Sequence, residues 1–143
     1  MDRKCFEDKL SKISEIVCIS EFGSYRSEYW IKDRSDIDLI IVVAPGVVFM
    51  DTLNIEESIE TLSKSFYKYD KIHLTFVLFS DFKSRYSRFA VDSDIKFIIN
   101  EDRWYDFQHY VMKFSRNNEQ FERTLKIDEQ YSYFGGIIDE SIL

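Results

Sequence analysis

The order of apolar patterns along the chain predicts an α/β domain of the α+β kind: a small mixed β-sheet covered mainly on one face by helices, with further helices at the C-terminal end. Three observations carry this. Short runs rich in β-branched and aromatic residues ("VCISEF", "DIDLIIVV", "IHLTFVLF") read as strands. The stretches between them repeat apolar residues three and four apart, as helices do. The length of 143 residues, 45% hydrophobic and 17% aromatic, suits one core and one domain over 1–143, with a sheet-bearing part at about 16–100 and C-terminal helices at about 101–134.

In chain order, Phe6, Leu10, Ile13 and Val17 recur with charges between them and predict an amphipathic helix over residues 2 to about 15. "VCISEF" is the first strand and runs into Gly23. The second strand is Asp36 to Val43, stopped by Ala44-Pro45-Gly46, where proline has no N–H to donate and glycine permits the turn. The connection between the two strands is too long for a tight hairpin and marks a functional segment. Ile55, Ile59, Leu62 and Phe66 place a helix at 53–68, and "IHLTFVLF" follows as a strand. "DFKSRYSRF" reads as a short helix and "IKFIIN" as a short strand or buried segment. Asn100 is a candidate N-cap for a long helix marked by Trp104, Phe107, Val111 and Phe114. Asn117-Asn118 is expected to interrupt it, with Phe121, Leu125 and Tyr131 on a further helix and Gly135-Gly136 as a turn before an apolar tail.

A net charge of −7 argues against a surface that neutralises phosphate backbones, so long nucleic acid is not the expected partner. Cys5 and Cys18 form no pattern suited to zinc or to a disulfide scaffold. The N-terminal stretch lacks the uninterrupted apolar core of a signal peptide, and no run is long enough to span a membrane, so a cytoplasmic protein is expected. Oligomeric state is left open, a homo-oligomer included.

The chemistry is concentrated in "FGSYRSEYWIKDRSDIDLIIVV". On a strand Asp36 and Asp38 share a face with Ile40 and Val42, while Ile37, Leu39 and Ile41 occupy the other. A strand apolar on both faces is buried, so two like charges at its mouth repel and lose hydration unless a cation lies between them. A hard cation with oxygen ligands, Mg²⁺ above all, resolves the conflict. Taken alone, such a pair more often caps a strand in solvent, and a Gly-Ser pair alone is more often an ordinary turn. Together they gain meaning: a tight turn at Gly23 exposes backbone N–H groups and the Ser24 hydroxyl, and a helix starting near Tyr25 would aim its positive end the same way. Such an anion site facing a carboxylate-bound cation would hold a triphosphate from both sides.

These residues resemble the signature of the minimal nucleotidyltransferases of the DNA polymerase β-like superfamily: Gly-Ser, a short connection, then Asp-x-Asp on the next strand, here "GSYRSEYWIKDRSDIDLII". The resemblance implies transfer of a nucleoside monophosphate, AMP from ATP foremost, to an acceptor hydroxyl. It implies that Gly23 and Ser24 hold the triphosphate and that Asp36 and Asp38 hold Mg²⁺, with Mn²⁺ as a substitute, in a two-ion site with the ions about 3.5–4 Å apart. Arg26, Lys32 and Arg34 lie close enough in sequence to neutralise phosphates. Relatives of this size act as antitoxins beside a helical HEPN-type partner, and the resemblance permits that role.

The third acid of this family, on the strand after the intervening helix, aligns with His73. His73 shares its face with Thr75 and Val77 and is counted with Asp36 and Asp38 among the catalytic candidates. Three readings follow. The imidazole serves as general base in place of a carboxylate. Asp70 swings in. Or the chain is a degenerate binding module that takes nucleotide or a partner protein without turnover.

Overall fold

The computed structural model describes residues 1–133, with side chains through residue 117. The elements are α1 (Arg3–Leu10), β1 (Ile16–Phe22), β2 (Ile37–Val43), α2 (Phe49–Tyr67), β3 (Ile72–Val77), α3 (Arg85–Asp92), β4 (Lys96–Ile98) and α4 (Glu101–Tyr133), with a 3₁₀ turn at Phe79–Asp81. The described residues divide into two units, Met1–Val111 and a second that begins at Met112. The sheet lies wholly within the first.

The sheet order is β3-β2-β1-β4. β1 is antiparallel to both β2 and β4, while β2 and β3 run parallel, so the sheet is mixed as the patterns predict. The parallel pair requires a crossover, which α2 supplies. Alternation on the central strands sorts the core into two layers. Ile19, Leu39 and Ile41 pack with Phe6 and Leu10 of α1 and Ile55 and Ile59 of α2. Val17, Ile40 and Val42 pack with Ala90 and Val91 of α3 and with Trp104, Phe107 and Val111 of α4. Helices therefore lie against both faces, where the sequence pointed mainly to one. The reason is that β2 is apolar on both of its faces, and each needs a cover.

Local chemistry sets the boundaries. The Asp2 carboxylate accepts from the Cys5 N–H and opens α1, which ends at Leu10, short of the expected residue 15. There the Ser11 hydroxyl donates to the Asp8 carbonyl, and the chain turns through Ile13 into β1. At the start of α2 the Asp51 carboxylate accepts from the Val48 N–H; valine offers no acceptor in return, so only half of a capping box forms. Asn100 caps α4 as expected, its side-chain oxygen accepting from Arg103 N–H. α4 then continues through Asn117-Asn118, against the expected break. Asparagine costs a helix interior only about 0.7 kcal/mol relative to alanine, too little to end a helix without proline or glycine nearby. The Gly135-Gly136 turn and the side chains of Phe121, Leu125 and Tyr131 lie outside the described residues. Among the described residues no helix is long and apolar enough to cross a membrane.

Candidate active site

The register brings the motif together at one end of the sheet. Asp38 of β2 sits opposite Phe22 of β1 on one side and His73 of β3 on the other. Phe22 is the last residue of β1, so Gly23 begins its turn directly beside the Asp38 carboxylate. Gly23 has φ +79°, and a Cβ there would lie 2.7 Å from Asp38 Oδ2. Two independent constraints thus require glycine: the left-handed backbone and the close approach of a carboxylate. The turn at Gly23 therefore lies directly against the Asp38 carboxylate.

His73 faces Asp38 from the opposite side, Nδ1 lying 3.3 Å from Oδ1. The imidazole is 61% exposed, so this is an accessible residue and not a packed one. Burial raises the Asp38 pKa, His73 opposes that rise, and the neighbouring Asp36 charge adds to it. A desolvated carboxylate with a like charge beside it is the condition that a bound cation relieves. Asp36 itself is exposed and lies one residue before β2, a boundary difference that takes it out of the ladder. Among the described residues no three His, Cys, Asp or Glu side chains converge as they would on one ion. Asp38 and Asp36 carry carboxylate oxygens, the ligand type of a hard divalent cation, but with His73 they do not form a three-residue cluster.

Asp36 is held through its backbone. The Trp30 indole N–H donates to the Asp36 carbonyl at 3.0 Å. The Tyr69 hydroxyl donates to the Ser35 carbonyl and accepts from the Asp33 N–H. Lys71 Nζ donates to the Asp33 carbonyl, and the Lys71 carbonyl takes the Ile37 N–H. The rings of Trp30 and Tyr69 lie 5.1 Å apart, closing the clamp.

The segment after Gly23 differs from expectation. No helix starts near Tyr25; successive turns carry the chain instead, with Ser27 N–H donating to the Ser24 carbonyl and Trp30 N–H to the Ser27 carbonyl. Arg26 adopts φ +74°, which ends any helical run. The segment expected to form an anion wall is therefore a turn and has no helix dipole behind it. Ser24 stands half-buried in this turn, and its hydroxyl has no hydrogen-bond partner among the described residues. Arg26 pairs with Glu21, Nε to Oε1 at 2.7 Å and Nη2 to Oε2 at 3.1 Å. Lys32 and Arg34 are exposed on the connection, and among the described residues neither pairs with Asp36 or Asp38.

Sequence reasoning did not single out Glu21, Tyr67, Trp30 or Tyr69. One signal was present, a glutamate inside the otherwise apolar "VCISEF". The other three were hidden among the many aromatics that build the core.

The mixed sheet carries Gly-Ser at the end of one strand and Asp-x-Asp at the start of its neighbour, the arrangement the resemblance to nucleotidyltransferases leads one to expect. The family model of the nucleotidyltransferase domain matches residues 3–133. The chain belongs to that family, and nucleotidyl transfer is the family's activity. No curated protein matches it.

Proposed function

We propose that this chain is a divalent-metal-dependent nucleotidyltransferase that moves AMP from ATP to a hydroxyl of an acceptor, a role in which the resemblance permits a helical HEPN-type partner protein as the acceptor. The observation that carries the reading is the direct apposition of Gly23 and the Asp38 carboxylate. Asp36 and Asp38 would hold Mg²⁺, which when bound neutralises phosphate charge and makes an acceptor hydroxyl easier to deprotonate. The turn at Gly23 and Ser24 offers backbone N–H groups and a hydroxyl to the triphosphate. His73, exposed and beside Asp38, would take the proton of the attacking hydroxyl. The protein's own contribution is position and electrostatic preorganisation.

A second reading, nucleotide binding without turnover, draws on one observation: an imidazole stands where a third carboxylate would complete the donor set. Incubation with α-labelled ATP and Mg²⁺ or Mn²⁺, with and without a co-purifying partner, separates the two. Label transferred to a protein by the wild type and lost in Asp36→Asn/Asp38→Asn supports the transferase. ATP bound without transfer supports the binding module, and absence of ATP binding removes both.

A further inference from the structure

An open cleft of ≈ 320 Å³ runs beside Gly23, with Glu21, Tyr25, Arg26 and Ser93 in its lining. Glu21 is the next-to-last residue of β1 and is only 7% exposed. All of its polar groups are engaged. Its N–H donates to the Ile95 carbonyl, and its carbonyl accepts from the Ser93 hydroxyl at 2.6 Å. Its carboxylate takes the two Arg26 bonds and a third from the Tyr67 hydroxyl at 2.6 Å.

The cost of this arrangement points to its use. Glu21 is buried while its partner Arg26 is half-exposed, so the carboxylate loses hydration for an attraction that solvent partly screens, and the pair is a weak source of stability. Arg26 also occupies left-handed backbone, at roughly 1–2 kcal/mol for a residue with a Cβ. Its guanidinium lies over the Tyr25 ring at 5.1 Å, and Tyr25 in turn meets the edge of Tyr67. Glu21 thus ties three things at one point: the end of β1, the left-handed residue of the turn, and the last residue of α2. The turn so fixed is the one that begins at Gly23 beside Asp38.

We infer that Glu21 and Tyr67 are positioning residues of the nucleotide site, acting through Arg26 to hold the turn over 23–27 in the conformation that receives the phosphates. Arg26 is then a structural latch whose two bonding nitrogens are committed to Glu21, and not the phosphate ligand its place in the sequence suggested. This assignment rests on the proposed nucleotide-binding reading.

Calorimetric titration of the full chain with ATP and Mg²⁺, at a temperature where thermal melts show each variant folded, tests it. Glu21→Gln keeps an acceptor for Tyr67 and loses the charge pair; Tyr67→Phe keeps the ring contacts and loses one donor. Both are expected to weaken ATP binding, Glu21→Gln by about tenfold or more. Glu21→Gln/Arg26→Met is expected to lose no more affinity than Glu21→Gln alone, because one residue acts through the other. Additive losses, unchanged affinity in the folded variants, or tighter binding by Glu21→Gln would each overturn the assignment, the last because Glu21 would then be withholding Arg26 from phosphate. If Glu21→Gln does not fold, Tyr67→Phe carries the test, and failure of both to fold marks a structural role. Failure of the wild type to bind ATP is a different result: it removes the nucleotide site itself and the assignment with it.

Discussion

Gly23 and Asp38 constrain each other. Gly23→Ala would force a Cβ to within 2.7 Å of Asp38 Oδ2 and place an alanine at φ +79°. Left-handed backbone alone costs roughly 1–2 kcal/mol, and the displaced carboxylate adds to it. Gly23→Ala should lower the unfolding free energy by at least about 1 kcal/mol in denaturant titration and impair metal binding. Asp38 supplies a pH dependence with a definite sign. Its folded pKa is raised, by burial first, above the ordinary 3.8, so the folded chain holds this proton more tightly than the unfolded chain. The ionised group therefore opposes folding at neutral pH, and the opposition is relieved as pH falls through the raised pKa towards 3.8. Asp38→Asn should raise the melting temperature at pH 7 by an increment worth about 1 kcal/mol or less, because solvent screens a partly exposed carboxylate. A fall in melting temperature would contradict the shift. Such a cost to stability is what the proposed cation-binding role of Asp38 would entail.

The connection between β1 and β2 behaves as part of the site because it is fastened at both ends. Arg26 fixes its start to Glu21, and Trp30 with Tyr69 fixes its end at the carbonyls of Asp36 and Ser35. Tyr69→Phe removes one donor to Ser35 and the acceptor for Asp33 N–H; at about 0.5–1.5 kcal/mol per hydrogen bond, a loss of 1–2 kcal/mol in denaturant titration is expected, with weaker metal affinity because Asp36 is less well held. This clamp was not legible in the sequence. Strand positions, by contrast, were: the two-residue alternation of "DIDLIIVV" and the stop at Pro45 determine β2 locally, while His73 came to the site through the family resemblance, and the β2–β3 register sets it opposite Asp38. What local pattern cannot carry is pairing between distant residues, such as Tyr69 with Ser35 or Tyr67 with Glu21. The expected helix near Tyr25 failed for a local reason: Arg26 takes left-handed backbone, φ +74°, and pairs with Glu21 only five residues before it. The expected break at Asn117-Asn118 failed the other way, because a weak local signal was given more force than its energy supports.

At the scale of the whole molecule, a four-stranded mixed sheet with helices against both faces leaves one end of β1, β2 and β3 free to carry chemistry. The central claim is that the Gly23–Ser24 turn and the Asp36/Asp38 carboxylates are two walls of one metal–nucleotide site. The most direct test is calorimetric binding of ATP with and without Mg²⁺ by the wild type, Gly23→Ala and Asp36→Asn/Asp38→Asn. The account predicts Mg²⁺-dependent binding by the wild type and a loss of tenfold or more in each variant, about 1.4 kcal/mol or beyond. Binding that ignores Mg²⁺, or that survives unchanged in either variant, would contradict it.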